Sequence, residues 1–298
     1  MTEGLTPMRK YLAFFLLAGC SGTPAPVDPF PPPAPGAGIQ IKTDPYTLDA
    51  QTEKYYCYAK NVVTDTAAIE VQVHNGASVH HLAVFETLAP EPDGFSECPS
   101  QIKQTWIPLY GGGRNTPGMK LPDGAGFQFK AGQQILLQVH LVNAAPHPIT
   151  ETTAVNLLFS PTPDALTPAG IFALGNMSFT IPTGATGYPV VGSCSSPRDL
   201  DVFALFPHMH RLGTSISIET GATEAAAQTI YKVDPWSFGD QPMKMMNFKV
   251  TTGDFLRATC MYDNTDGHDI SYGESTLDEM CFMVLFYTPF DHLNGCVD

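Results

Sequence analysis

The chain has 298 residues, a formal net charge of −14, 15% charged residues, 26 glycines and 27 prolines. This acidic balance repels polyanions and offers no basic face, which excludes a nucleic-acid partner on electrostatic grounds. Apolar stretches of helical period are absent, so the composition predicts short strands joined by turns, with helix a minor component.

At the start, Arg9 and Lys10 precede the short apolar run 11–17, which leads into Leu17-Ala18-Gly19-Cys20. The run is too short to cross a bilayer and reads as a removable export signal. Its pattern resembles a bacterial lipoprotein signal over residues 1–20, with Cys20 lipidated as the mature N-terminus; an ordinary secretory signal with an incidental cysteine is the alternative. Either way the protein is expected to be exported. The lipoprotein reading places it in the periplasm, on the outer membrane or at the cell surface, touching membrane through its N-terminal lipid only. Residues 21–38 are dominated by proline, alanine and glycine, cannot build a core and read as an extended linker.

Six further cysteines remain: Cys57, Cys98, Cys194, Cys260, Cys281 and Cys296. In an oxidising compartment an even count predicts three disulfides, whose pairing the spacing alone does not decide. The lack of a CxxC pair argues against a zinc-thiolate or thioredoxin-like redox site.

Strand-like segments are expected at 67–73, 79–86, 126–129, 134–142, 155–159, 171–181, 201–206, 214–218, 247–250, 255–262 and 283–287. Turn signals separate them, as at Pro122-Asp123-Gly124 and Ser160-Pro161-Thr162-Pro163-Asp164. Many short strands at this spacing predict an all-β protein of sandwich type. The proline-rich stretch 160–168 divides it into two β-sandwich domains in tandem, residues 39–165 and 166–298. There is no internal repeat of the kind that marks a solenoid or propeller.

Of nine histidines, five fall into three groups: Val79-His80-His81-Leu82, Gln138-Val139-His140-Leu141 and Phe206-Pro207-His208-Met209-His210. Residues two apart on a strand share a face, so His208 and His210 can direct two imidazoles at one metal with Met209 turned away. Adjacent His80 and His81 would point to opposite faces unless the chain is bulged or its pairing ends there. Each group also has a structural reading, a hydrogen-bonded core histidine, and His140 taken singly reads that way. Spacing alone supports a transition-metal site of some kind.

Near the C-terminus, Leu277-Asp278-Glu279-Met280-Cys281 precedes the apolar run 282–287. A methionine there is usually core filler. As a ligand its soft thioether favours Cu(I) over zinc, so His208, His210 and Met280 together would specify copper. A disulfide at Cys281 would fix Met280, and Cys260 is the natural partner if 255–262 and 283–287 are neighbouring strands.

At these residues the sequence resembles the copper type II ascorbate-dependent monooxygenases, the family of peptidylglycine α-hydroxylating monooxygenase and dopamine β-hydroxylase. The likeness runs in order through Tyr55-Tyr56-Cys57, His80-His81-Leu82, Leu121-Pro122-Asp123-Gly124-Ala125-Gly126-Phe127 and Leu137-Gln138-Val139-His140. It continues through His208-Met209-His210-Arg211-Leu212-Gly213, Gly253-Asp254 and Asp278-Glu279-Met280-Cys281, with Tyr287 beyond. The resemblance implies two antiparallel jelly-roll-like sandwiches with a solvent-filled cleft between two copper ions. It assigns an electron-transfer copper to His80, His81 and His140, and a catalytic, dioxygen-binding copper to His208, His210 and Met280. It also implies disulfides Cys57–Cys98, Cys194–Cys296 and Cys260–Cys281, and a supporting place for Gln138.

The implied activity is hydroxylation of a C–H bond in a small organic substrate, with O2 and ascorbate or another electron donor, by a monomer. Where the peptide-amidating enzyme has an arginine and a tyrosine that hold a substrate carboxylate, this chain has Phe206 and Val284. These replacements argue against a C-terminal glycine peptide and for a neutral or hydrophobic substrate. The alternative from another class is an exported copper-binding lipoprotein that sequesters or relays the metal. A sandwich used for adhesion, with purely structural histidines, is a third reading.

Overall fold

The computed structural model describes residue 1 and residues 28–99, 103, 105–241, 243–292 and 294–298. The export signal, Cys20 and the linker through residue 27 lie outside the described residues. Antiparallel strands dominate; the helical content among the described residues is two 3-10 turns, Pro163–Ala165 and Glu224–Ala226.

Eight principal strands build the first half: β1 (Gly38–Lys42), β2 (Thr52–Asn61), β3 (Thr66–His74), β4 (Val79–Thr87), β5 (Trp106–Gly113), β6 (Ala125–Phe129), β7 (Gln134–Asn143) and β8 (Ala154–Phe159). One sheet runs β1-β8-β3-β6, extended by the short strands Met119–Lys120 and Thr167–Pro168; the other runs β2-β7-β4-β5, with Gly94–Glu97 outside β2. Eight more build the second half: β9 (Gly170–Asn176), β10 (Tyr188–Ser195), β11 (Leu200–His208), β12 (Gly213–Gly221), β13 (Gln228–Val233), β14 (Lys244–Val250), β15 (Phe255–Tyr262) and β16 (Cys281–Thr288). Their sheets run β9-β16-β11-β14, with Asn294–Val297 outside β9, and β10-β15-β12-β13. Adding eight to each strand number of the first half thus reproduces the pairing order of the second.

Alternation along the strands decides what faces the core. On β7, Ile135, Leu137, Val139 and Leu141 enter the main core of the first half, against Val71, Phe127 and Leu157 of the opposite sheet. The other parity carries Gln134, Leu136, Gln138 and His140 to the outer face, where Leu136 packs with Phe85 and Trp106. Alternation on β11 and β16, shifted once on β11 by an irregularity between Val202 and Ala204, sends Val202, Leu205, Met283 and Leu285 into the second core. It turns Ala204 and Phe286 toward the first, with Phe206 and Val284 packed beside them. The two halves therefore meet through the outer faces of these sheets, within one compact unit Pro32–Asp298.

Two details differ from the expectations above. The apolar stretch 171–181 is not one strand: β9 stops at Asn176, and Thr180–Ile181 pairs instead with Ile270–Ser271. Asn176 ends the strand by accepting the Ser178 N–H at 2.7 Å while donating to the Val191 carbonyl at 2.8 Å. Nor are β15 and β16 neighbours in one sheet. They belong to opposite sheets, so Cys260–Cys281 crosses the sandwich, as does Cys194–Cys296, whereas Cys57–Cys98 ties β2 to the chain just past its edge neighbour.

Candidate metal centre

His81 and His140 lie opposite each other on β4 and β7, and the register then slips so that Leu141 pairs with Val79. This bulge leaves His80 as the extra residue and allows adjacent histidines to turn toward one point. The Nδ1 atom of His81 is 3.3 Å from that of His80 and 3.3 Å from that of His140. One nitrogen of each ring lies within 4.8 Å of the others, a spacing that can hold a metal ion.

Protonation does not explain this gathering. Burial lowers the pKa of all three: His80 somewhat, His81 well below the ordinary value, and His140 to about 3. His140 Nε2 faces Glu53 Oε1 at 2.7 Å, which leaves Nδ1 of a neutral ring as a bare lone pair. His81 Nδ1 offers one in-plane proton or one lone pair to two neighbouring Nδ1 atoms, so the two contacts cannot both be well-directed hydrogen bonds. A cation among the three nitrogens resolves that conflict, and the donor set therefore fits a transition metal. Tyr55 covers His140, its ring stacked at 4.2 Å and 3°.

The second group is assembled differently. His208 is the last residue of β11 and His210 lies two beyond it, with ring centroids 5.3 Å apart and planes at 90°. Met209 between them is fully buried in the second core. Each ring has its Nδ1 occupied: Gln241 Oε1 stands 2.8 Å from His208 Nδ1, and the Asp278 carbonyl 3.0 Å from His210 Nδ1. Both partners are acceptors, so both Nδ1 atoms donate and both Nε2 lone pairs remain for another partner. Burial holds these rings neutral as well, at about 3 for His208 and about 4 for His210.

Met280 lines the same cavity as these two rings and is 6% exposed. Its backbone is pinned twice, by the Tyr262 hydroxyl donating to its carbonyl at 2.6 Å and by the adjoining Cys260–Cys281 bridge. The neighbouring Glu279 is fully buried and accepts the N–H groups of His210 at 2.9 Å and Leu212 at 2.6 Å. It staples the segment carrying Met280 to the turn carrying His210. Burial pushes this carboxyl up to about 7 against the opposing pull of those N–H donors.

A cavity of about 780 Å³ between the facing sheets joins the two groups, with His81, His208, His210 and Met280 all on its wall. The rings of His81 and His208 approach to 6.4 Å between centroids. Elsewhere the wall is largely apolar, including Phe85, Trp106, Phe206, Phe282, Val284 and Phe286. Phe206 and Val284, the positions singled out for substrate, stand opposite each other on adjacent strands. Gln138 also lines the cavity and donates to the Pro99 carbonyl at 3.1 Å.

The sequence reading did not single out Glu53, Gln241 or Glu279 for any role. Glu53 stands on β2, whose polar sequence hides a strand. Gln241 sits in a connection without periodicity, and no local pattern marks it.

Residues 167–298 match the family model described as copper type II ascorbate-dependent monooxygenase, C-terminal domain. A putative DBH-like monooxygenase protein 2 of Homo sapiens is 23% identical over 251 residues, covering 75% of this chain and 50% of its own length. The peptidylglycine alpha-amidating monooxygenase of Rattus norvegicus is 25% identical over 291 residues, covering 90% of this chain and 28% of its own. The corresponding protein of Mus musculus is 25% identical over 299 residues, with the same coverage of 90% and 28%. The chain thus spans half or less of the length of these curated relatives. Together these likenesses make the chain similar to the copper type II ascorbate-dependent monooxygenases, most directly over residues 167–298. An allantoicase structure overlays 82% of the chain at a TM-score of 0.25 and 9% identity, too low to bear on the argument. The three disulfides accord with maturation in an oxidising compartment. No helix among the described residues is long and apolar enough to cross a membrane.

Proposed function

We propose that this chain is an exported, lipid-anchored, monomeric copper monooxygenase that hydroxylates a C–H bond of a small, neutral organic molecule, using O2 and a reductant such as ascorbate. In this reading it comprises two jelly-roll-like domains, 39–165 and 166–298. His80, His81 and His140 hold one copper through Nδ1, and His208, His210 and Met280 hold the other through two Nε2 atoms and a thioether. Copper supplies one-electron chemistry and activation of O2, which closed-shell side chains lack.

The observation that carries the reading is the opening of both neutral imidazole groups, with Met280, onto one largely apolar cavity. Glu53 holds the Nε2 proton of His140, while Gln241 and the Asp278 carbonyl hold the Nδ1 protons of His208 and His210. The chain thereby presents unprotonated nitrogen to each ion. The apolar wall would exclude water from the reacting carbon, and Phe206 and Val284 offer a carboxylate nothing to bond, which favours a neutral substrate.

Copper stoichiometry combined with ascorbate-dependent O2 consumption tests the proposal. It expects two coppers per chain and O2 uptake that disappears in Met280→Ala. Two coppers without uptake across a broad set of neutral substrates would instead favour a sequestering or relaying role. One copper or none would refute the assignment.

A further inference from the structure

The connection between β13 and β14 belongs to the second half, yet it touches both histidine groups. The Trp236 indole N–H donates to the His210 carbonyl at 3.1 Å. The Phe238 ring lies between the groups, its centroid 4.3 Å from that of His80 and 5.7 Å from that of His210. Gln241 faces His208 with its side chain, while its backbone carbonyl accepts the Thr116 hydroxyl at 2.8 Å. Thr116 lies just past β5 in the first half. Gln241 and Thr116 are 1% and 5% exposed, so this bridge is shielded from competing water.

Two features make the arrangement specific. The Gln241 side-chain amide donates to the Phe238 carbonyl at 3.3 Å, which turns its oxygen rather than its nitrogen toward His208. The opposite orientation would demand the other tautomer and cover Nε2 with the proton. At Gly113, an added Cβ would lie 3.2 Å from the Gln241 backbone nitrogen, so the bare glycine leaves room for the crossing segment.

We propose that Gln241 is a positioning residue for His208 and that residues 236–241 form a brace coupling metal binding at the two histidine groups. Fixing His208 on an ion fixes Gln241. Through Thr116 and Phe238, the same segment restrains the first half beside His80. By reciprocity, filling the first group should raise affinity at the second by the same factor. The inference rests on copper binding at both groups as proposed above.

The test is titration of the full chain with Cu(I) against a chromophoric chelator, together with the electron paramagnetic resonance spectrum of the Cu(II)-loaded form. Gln241→Leu should weaken the His208 and His210 site by about 10- to 100-fold and alter its Cu(II) signature. Gln241→Glu, which keeps the acceptor, should restore most of both. Thr116→Val should preserve the intrinsic affinity of the second site, measured in a His140→Ala background, while abolishing its dependence on filling the first. Circular dichroism and denaturation midpoints establish that each variant is folded. Two coppers in wild type with unchanged affinity and spectrum in Gln241→Leu would overturn the positioning role alone, as persistent coupling in Thr116→Val would overturn the brace. Failure of wild type to bind two coppers would remove the parent reading and this inference with it.

Discussion

The two halves of the molecule share a strand order and differ in where they carry their histidines. In the first half, the histidines stand on adjacent strands β4 and β7, and a bulge gathers three Nδ1 atoms. In the second, they stand at the end of β11 and in the turn beyond it, with Met280 just ahead of the neighbouring strand β16. The first group is thus set by register within one sheet, whereas the second depends on a turn, a staple and a disulfide. Equivalent topology does not dictate equivalent sites: facing surfaces of unlike sheets bring the two sets of donors to one cavity.

The largest expected break in this comparison is at Glu279. Glu279→Ala strips two buried N–H groups of their acceptor, so denaturant unfolding should show a loss of about 2–5 kcal/mol. Copper titration should show the second group losing its metal while the first retains it. Beyond the weakening that the coupling inferred above would transmit, an outright loss of copper at both groups would mean that the halves are not assembled independently.

A second prediction sharpens what the halves have in common. Asn143 donates from its side chain to the carbonyls of Leu48, Asp49 and His147 and accepts the Ala145 N–H. Asn264 donates to those of Ile181, Pro182 and His268 and accepts the Asp266 N–H. Each hub anchors a short two-stranded ribbon, Tyr46–Leu48 with Ile149–Glu151 and Thr180–Ile181 with Ile270–Ser271, and each ribbon carries a hydroxyl pair, Thr47 with Thr150 and Thr180 with Ser271. Asn143→Ala and Asn264→Ala should therefore each cost about 2–3 kcal/mol, matched to within about 1 kcal/mol in urea denaturation. A twofold disparity would show that the ribbons are not equivalent supports.

A smaller effect is expected at Glu53, which has no matching carboxylate at the His208 ring, where neutral Gln241 stands. Glu53→Ala should lower copper affinity at the first group by about tenfold and leave the intrinsic affinity of the second unchanged. Competition titrations of the two sites measure both.

The smallest expected effect concerns pH. On β4, Glu86 stands opposite Ile135, whereas on β12 Glu219 stands opposite Arg257 and pairs with it. Burial raises the Glu86 carboxyl from 4.5 to about 6. The folded state then holds this proton more tightly than the unfolded chain. Its contribution to stability is whole below pH 4.5 and is lost as pH rises through about 6. Glu86→Gln should match wild type near pH 4 and exceed it near pH 8 by about 1 kcal/mol, allowing for partial solvent screening. Denaturation midpoints across that range provide the check.

Much of this architecture is legible in the sequence where burial writes a pattern. The apolar alternation of 134–142 and 255–262 marks β7 and β15 almost to their ends. Strands without that signature escape notice. The polar run of β2, the glycines and proline of β5 and the edge strand β13 are held by pairing with neighbours rather than by apolar periodicity. The histidine groups are visible as spacing, and the need for a bulge at His80 and His81 follows from the two-residue period. What spacing does not reveal is which atoms converge. The pairing of the cysteines, the approach of Met280 and the placing of Glu53 and Gln241 depend on contacts between segments far apart in the chain. For the cysteines and Met280, family resemblance pointed where spacing could not; for Glu53 and Gln241, it was silent.

The central claim is that two distinct donor sets, one of three imidazoles and one of two imidazoles with a thioether, each hold a copper ion. X-ray absorption of the fully Cu(I)-loaded protein tests it most directly. The account predicts a sulfur scatterer on about half of the copper, consistent with a thioether at one of two sites. That signal should vanish in Met280→Ala and survive in His140→Ala. A spectrum with no sulfur contribution, or one whose sulfur persists after Met280→Ala, would contradict the account.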